Sequence, residues 1–367
     1  MNISGIDHIE LYVGDARQTA FYLCTAFGFK VCGQGGPQTG LDGQFSLLLR
    51  QGEIQVVLTS GLVADHPATE YVRRHGDGVA VIGIGVDDAA AAYRRLTERG
   101  AEPVSPPREY VPGESAAKES GADDQRVVVA EVSGFSDVTH RLVERHGPRR
   151  EFLPGAIEVT EPDPHSDGKV LRTIDHIAIC VPAGGLAPTA RYYVDVFGFE
   201  QIFEEYVEVG GQGMDSKVVQ SPSGHVTFTL IEPDPERQPG QIDNFLSWHA
   251  GAGVQHVAFG TDDIVKAVGA LSDHGVRFLG TPAAYYDTLE ERVGHLDAPL
   301  DDLRRLGVLV DRDHWGQLLQ IFTESMHVRR TLFLEIIERR GALTFGSGNI
   351  KALYEAKQGE LSGTTAT

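Results

Sequence analysis

The 367-residue sequence has three cysteines, Cys24, Cys32 and Cys180, an odd number with no CxxC spacing. That excludes a disulfide framework and a thiolate zinc site, and it fits a reducing compartment. No uninterrupted apolar run approaches the roughly 18 residues that a membrane helix needs. The first residues, MNISGIDHIELYV, have no basic segment leading into a long apolar stretch, so a secretory leader is not expected and the cytoplasm is the expected location. Lys and Arg total 32 against 52 Asp and Glu, a net charge of -20. Without a basic cluster to neutralise phosphates, nucleic acid is excluded as a partner. There is no GxSxG elbow, phosphate loop or dinucleotide fingerprint, so none of those chemistries is indicated.

What is present is ordinary globular material, 41% hydrophobic and 23% charged, long enough for two domains. It is also present twice. Gly5-Ile6-Asp7-His8-Ile9-Glu10-Leu11-Tyr12-Val13 reads again as Thr173-Ile174-Asp175-His176-Ile177-Ala178-Ile179-Cys180-Val181. Both runs are β-rich and predict strands, and each leads through a helical stretch to an aromatic-Gly-aromatic turn, Phe27-Gly28-Phe29 and Phe197-Gly198-Phe199. A second pair matches Gly76–Ile82 with Gly251–Val257, each followed by a helical pattern closed at Gly100 and Gly275. A third matches His140–Gly147 with Leu334–Gly341. Three blocks in the same order predict a duplicated chain of βαβ-type modules whose strands curl around a cavity. The expected organisation is a first domain over 1–158, a linker over 159–170 and a second domain over 171–367. The proline- and acid-rich Val159–Asp167 supplies the linker, and Pro106–Arg126 reads as a surface loop.

The repeat exposes three residues by subtraction. Where the second half has His176, His256 and Glu335, the first has His8, Val81 and Arg141. Two imidazoles and one carboxylate from separate strands form the facial set that suits non-haem Fe(II), with open positions left on one face. Val81 has no lone pair and Arg141 would repel a cation, so the first half is expected to be a structural partner. A lone strand histidine is usually a core or surface residue, and Asp175 alone reads as a turn cap. Glu335, flanked by Leu334 and Ile336, is harder to place without a cation, because an unpaired buried carboxylate would neutralise. The three stand 80 and 79 positions apart (176 to 256, 256 to 335).

At these residues the chain resembles the 4-hydroxyphenylpyruvate dioxygenase and 4-hydroxymandelate synthase family of the vicinal-oxygen-chelate fold. The likeness covers nearly the whole chain and is densest from Ile174 to Ala356. It is carried by GAGVQHVAF around His256, TPAAYYDTLEERVG from Thr281, GQLLQIFTE from Gly316, LEIIERRG around Glu335 and FGSGNIKALYEA from Phe345. The resemblance implies an α+β chain of two tandem vicinal-oxygen-chelate domains. Each consists of paired βαβββ modules forming an open barrel, and a C-terminal lid helix over Phe345–Gln358 covers the site. It implies Fe(II) on His176, His256 and Glu335, 4-hydroxyphenylpyruvate and O2 as substrates, and a homo-oligomer, dimer or tetramer. Gln241 and Gln320 match glutamines near the substrate, Ser216 a pocket serine, and Phe322, Phe333 and Phe345 pocket aromatics, each of which also suits plain core packing.

The family holds two activities on one substrate. One hydroxylates the ring and gives homogentisate, as in tyrosine breakdown; the other hydroxylates the benzylic carbon and gives 4-hydroxymandelate, a source of hydroxyphenylglycine units for peptide antibiotics. Ring-hydroxylating members read Pro-x-Asn-Glu-Pro where this chain has Thr229-Leu230-Ile231-Glu232-Pro233. Ile231 lacks the amide with which an Asn could hydrogen-bond the substrate and reshapes the wall. The Thr/Ile version points to 4-hydroxymandelate synthesis, with neutral drift in a homogentisate-forming enzyme as the alternative. A metal-free binding module and an extradiol ring-cleaving enzyme of the same fold are the remaining readings. Retention of all three ligands opposes the first, and the lid block opposes the second.

Overall fold

Each strand that the repeat predicts forms, and each finds its counterpart in the other half. The computed structural model describes residues 1–112, 125–147, 151–160, 169–346 and 348–349. The first half contains β1 (Ile3–Tyr12), β2 (Lys30–Gly35), β3 (Gln44–Gln51), β4 (Ile54–Gly61), β5 (Gly78–Val86), β6 (Pro103–Tyr110), β7 (Arg126–Ser133), β8 (Thr139–His146) and β9 (Glu158–Val159). The second contains β10 (Thr173–Cys180), β11 (Glu200–Val209), β12 (Gln212–Gln220), β13 (Thr227–Pro233), β14 (Gly253–Gly260), β15 (Leu309–Arg312), β16 (Gln317–Phe322) and β17 (Phe333–Arg340). The sheet orders are β6-β7-β8-β5-β1-β4-β3-β2-β9 and β11-β12-β13-β10-β14-β17-β16-β15. In both, two βαβββ units meet through their first strands, β1 with β5 and β10 with β14, antiparallel. Each unit's last strand then lies parallel to its first.

The local signals explain the repetition. Helices Ala16–Phe27 and Ala89–Glu98 follow β1 and β5, and helices from Leu186 and Ile264 follow β10 and β14. Asp88 and Asp263 cap theirs by accepting from Ala91 N and Lys266 N at 2.7 and 2.9 Å. Glu144 and Glu338, three residues after the matched positions Arg141 and Glu335, accept from Ala89 N and Ile264 N, so the last strand of each half ties down a helix N-terminus. Gly28 and Gly198 end their helices at φ +76° and +74°, a conformation that costs a side chain.

The helix-bearing faces of both sheets share one core. Phe29 of the first half meets Phe259 of the second at 5.9 Å, and His140 stacks on Phe228 at 5.7 Å while bonding to the Tyr193 hydroxyl. The opposite, concave face of the second sheet is left to the site.

Two expectations are corrected. Pro106–Tyr110 are not loop but the end of edge strand β6, whose pairing with β7 slips between Ser105 and Arg108, where prolines remove the N–H donors. Val159, taken as the start of the linker, pairs with Gly33. The expected lid, Phe345–Gln358, lies outside the described residues except for Phe345, Gly346, Gly348 and Asn349. No helix among the described residues is long and apolar enough to cross a membrane.

Candidate metal centre

Strand register brings His176, His256 and Glu335 to one point. His256 pairs with Ala178 on β10 and with Phe333 on β17, so the residues one pleat away, His176 and Glu335, flank it on the concave face. The pairing of β10 with β14 is irregular between Ile174 and His176. His176 Nε2 and His256 Nε2 lie 3.3 and 3.4 Å from Glu335 Oε2, and all three ligand atoms fall within 4.8 Å of one another. The residues are 4%, 8% and 2% exposed.

Each imidazole is oriented by its other nitrogen. His176 Nδ1 is 2.8 Å from Asp175 Oδ1, and Asp175 is gripped by Arg339 through Nε at 2.7 Å and Nη2 at 2.9 Å. His256 Nδ1 is 3.2 Å from Gln255 Oε1, and its ring stacks on Phe333 at 5.0 Å with Phe322 edge-on at 5.8 Å. With Nδ1–H donated outward, both Nε2 lone pairs converge on the same space.

The electrostatics ask for a cation. Burial works against the charge of Glu335, yet the two imidazoles hold its carboxyl down to about 2. Burial would also depress His176, but Glu335 and Asp175 outweigh it and raise the imidazole to about 9. Burial pushes the pKa of His256 down, which favours the neutral form that a metal needs. Glu335 Oε1 is buried with no hydrogen-bond partner. Once a metal displaces the proton that Glu335 holds on His176, two neutral nitrogen donors and a carboxylate with a spare oxygen fit a divalent first-row ion.

The surrounding wall contains most of the residues singled out in the sequence. Thr229 pairs with Ala178, itself opposite His256, and its Oγ1 is buried without a partner. Ile231 lies one pleat further and packs with Cys180, Met214 and Phe245. Ser216, opposite Ile231, donates its hydroxyl to Glu205 O at 3.2 Å and so is partly committed to backbone. Phe322 pairs with Glu335, and Gln320, one pleat on, has Oε1 buried and unpartnered. The Phe345 ring meets His176 edge-on at 5.4 Å beneath the Arg339 guanidinium, 4.9 Å from its centroid. Gln241 is not brought in with them; it stands exposed on the first turn of helix Gln241–His249.

Sequence reasoning passed over Asp175 and Arg339 as positioning residues. The signal was available: Asp-His recurs at Asp7-His8, and an Arg follows Arg141 and Glu335 by four residues in both halves. It also passed over Val218, which pairs with Thr229 and faces the same side. A buried valine in a strand carries no chemical signal of its own.

Comparison with known proteins agrees with this geometry. Residues 5–129 and 173–321 match the model of the Glyoxalase/Bleomycin resistance protein/Dioxygenase superfamily. A protein of Aspergillus fumigatus called probable 4-hydroxyphenylpyruvate dioxygenase 2 is 36% identical over 97% of this chain and 93% of its own. The 4-hydroxyphenylpyruvate dioxygenase of Dictyostelium discoideum is 32% identical over 96% and 97%. A solved triple mutant of 4-hydroxymandelate synthase from Streptomyces coelicolor superposes with a TM-score of 0.86, at 43% identity over 98% of this chain and 100% of that one.

Proposed function

The chain belongs to the glyoxalase/bleomycin resistance protein/dioxygenase superfamily and, within it, to the 4-hydroxyphenylpyruvate dioxygenase family, and from that premise we propose that it is a 4-hydroxymandelate synthase. The reaction is the Fe(II)-dependent conversion of 4-hydroxyphenylpyruvate and O2 into 4-hydroxymandelate and CO2.

His176, His256 and Glu335 would hold the iron on one face. Bound Fe(II) would supply the place where the 2-oxo acid and dioxygen are activated. The chain's own residues bind and pose. One carboxylate against a divalent ion leaves a net charge of +1, complementary to a 2-oxo acid. Phe322, Phe333 and Phe345 offer faces and edges to a phenolic ring. Thr229 Oγ1 and Gln320 Oε1, buried and unpartnered, are free to hydrogen-bond the polar groups of a bound substrate.

The single observation that carries the benzylic outcome is the position of Thr229 and Ile231. Both project from β13 to the concave face, with Thr229 in register with Ala178 and hence with His256. An apolar branched side chain at Ile231 cannot draw the ring by a hydrogen bond as an amide there would. A shift of roughly an ångström in the pose is enough to change which carbon is attacked. The 43% identity to a 4-hydroxymandelate synthase variant, against 36% to a protein called probable 4-hydroxyphenylpyruvate dioxygenase 2, supports the same reading. The double variant Thr229→Pro/Ile231→Asn tests it. Chromatography of its products should show homogentisate beside 4-hydroxymandelate, and an unchanged product would place the determinant elsewhere.

A further inference from the structure

The two halves also meet at the ends of two short helices, and the one in the second half backs the pocket wall. Helix Pro67–His75 precedes β5 and helix Gln241–His249 precedes β14. Ile242 and Phe245 of the second helix are buried in one cluster with Cys180, Met214 and Ile231. Cys180 and Ile231 are register partners on β10 and β13. The helix therefore packs on the stretch of β13 that carries Ile231, and in a close-packed cluster its position decides where that side chain stands.

The C-terminus of that helix is held by the other half. His75 Nδ1 lies 2.5 Å from the carbonyl oxygen of His249, the last residue of the helix, and His75 Nε2 lies 2.8 Å from Asp137 Oδ2. A carbonyl only accepts, and Arg74 Nη1, donating to Asp137 at 2.7 Å, keeps that carboxylate ionised. Both His75 nitrogens therefore donate, and the ring is a cation. It stands at the C-terminal ends of two helices, where a positive charge is favoured. The His249 ring stacks on His75 at 4.3 Å and on Phe245 at 5.1 Å. Burial first, and then His75, push the pKa of His249 down to about 4, so the second ring of the stack is neutral. Both histidines are buried, which shields their contact from water.

We propose that His75 is a positioning residue for the reaction: held by Asp137, it tethers the end of helix Gln241–His249 and, through His249 and Phe245, sets where Ile231 stands and how the substrate ring is posed. This role rests on the reading of Ile231 as a pocket determinant. It gives the first half, which lacks the metal ligands, a part in choosing the carbon that is attacked. Each link is a contact between neighbours: Asp137 to His75, His75 to the His249 backbone and ring, His249 to Phe245, and Phe245 to the Ile231 cluster. Because the bond from His75 ends on a backbone carbonyl, it fixes the helix itself and not one rotatable side chain. The bond between His140 Nε2 and the Tyr193 hydroxyl, 2.9 Å long, also joins the halves but involves no residue of that helix.

The test is the ratio of homogentisate to 4-hydroxymandelate formed from 4-hydroxyphenylpyruvate by the full-length, iron-loaded enzyme, read by chromatography beside iron content. His75→Phe keeps a ring to stack and loses both bonds. Its ratio should shift roughly tenfold away from the wild-type product, well inside the hundredfold that an ångström of misplacement can cost, with iron content unchanged. Asp137→Ala, which leaves His75 held on one side only, should shift the ratio in the same direction by a smaller factor. Asp137→Asn, whose amide can still bond His75 Nε2, should restore the wild-type ratio. Tyr193→Phe, which breaks a bond between the halves elsewhere, should leave the ratio as it is. The main product of the wild type reports on the pocket reading, and the shift between wild type and variant reports on the tether, so either can fail without the other. A folded His75→Phe enzyme within twofold of the wild-type ratio overturns the proposal, as does a shift of the same size in Tyr193→Phe. If His75→Phe does not fold, equal ratios for Asp137→Ala and Asp137→Asn overturn it.

Discussion

Asp175 touches no substrate or metal, yet the structure makes it the residue on which the His176 ligand depends. Its carboxylate accepts from His176 Nδ1 at 2.8 Å and receives two donors from Arg339 at 2.7 and 2.9 Å. Losing the hydrogen-bond partner of a metal-bound imidazole costs about 10–100-fold in metal affinity, about 1.4–2.7 kcal/mol. The two ends of that range belong to two variants. Asp175→Asn keeps an oxygen that can accept from Nδ1–H, so the tautomer survives and only the charge is lost; about a tenfold weakening is expected. Asp175→Ala removes acceptor and charge together, frees the ring to rotate and strands Arg339, and about a hundredfold is expected. Both should also lose roughly 2 kcal/mol of metal-free stability, since hydrogen bonds to charged groups are worth about 1.5–3 kcal/mol. Anaerobic equilibrium dialysis against Fe(II) measures the affinity and urea unfolding the stability. An Asp175→Ala protein that holds iron within twofold of wild type would refute the positioning argument.

Other consequences follow from single atoms. Thr229→Val removes a buried hydroxyl that has no protein partner. It should leave the Tm unchanged or raised while lowering kcat/KM about fivefold, the worth of about 1 kcal/mol of lost hydrogen bond to substrate; a fall in Tm would mean that the hydroxyl is structural. Gly346→Ala puts a side chain at φ +74° with its Cβ against the Gln320 side-chain amide. The conformation alone costs about 1–2 kcal/mol, and the Gln320 amide must move, so kcat/KM should fall while iron content stays at wild-type level. Burial opposes the Asp313 charge, but N–H donors from Thr344, Leu343, Trp315 and Gly316 hold its carboxyl at about 2, below the ordinary 3.8. A depressed folded pKa stabilises above the unfolded value and is lost as pH falls through the folded one. Asp313 should therefore contribute at most about 2 kcal/mol above pH 4 and fade towards pH 2. Asp313→Asn should remove that contribution and flatten this part of the acid-unfolding curve.

Legibility in the sequence followed chemical contrast. The repeat was readable because its strands start with the same Asp-His pair and its helices end on glycine, and the metal ligands stood out because Val81 and Arg141 replace two of them. A carboxylate inside Phe333-Leu334-Glu335-Ile336-Ile337 is an exception that needs a reason, and the two imidazoles converging on it supply one. Pro106 and Pro107 suppress the strand character of β6 in the sequence, and only its edge position makes room for them. Gln241 was assigned from resemblance alone, and helix geometry turns it to solvent. Val218 and the grip of Arg339 on Asp175 were hidden for opposite reasons: one is indistinguishable from core, the other depends on a contact across 164 positions. The concave face itself could not be read at all, because the pairing that defines it joins strands far apart in the chain.

The central claim is the benzylic outcome, and the proton NMR spectrum of the product formed from 4-hydroxyphenylpyruvate, Fe(II), ascorbate and air tests it most directly. Mass does not discriminate, because homogentisate and 4-hydroxymandelate are isomers. A para-disubstituted ring with a benzylic CH–OH is the expected result and would make Thr229 and Ile231 the residues to dissect. A trisubstituted ring with an intact CH2 would contradict it, leaving fold, metal centre and substrate in place and the argument from the β13 wall refuted.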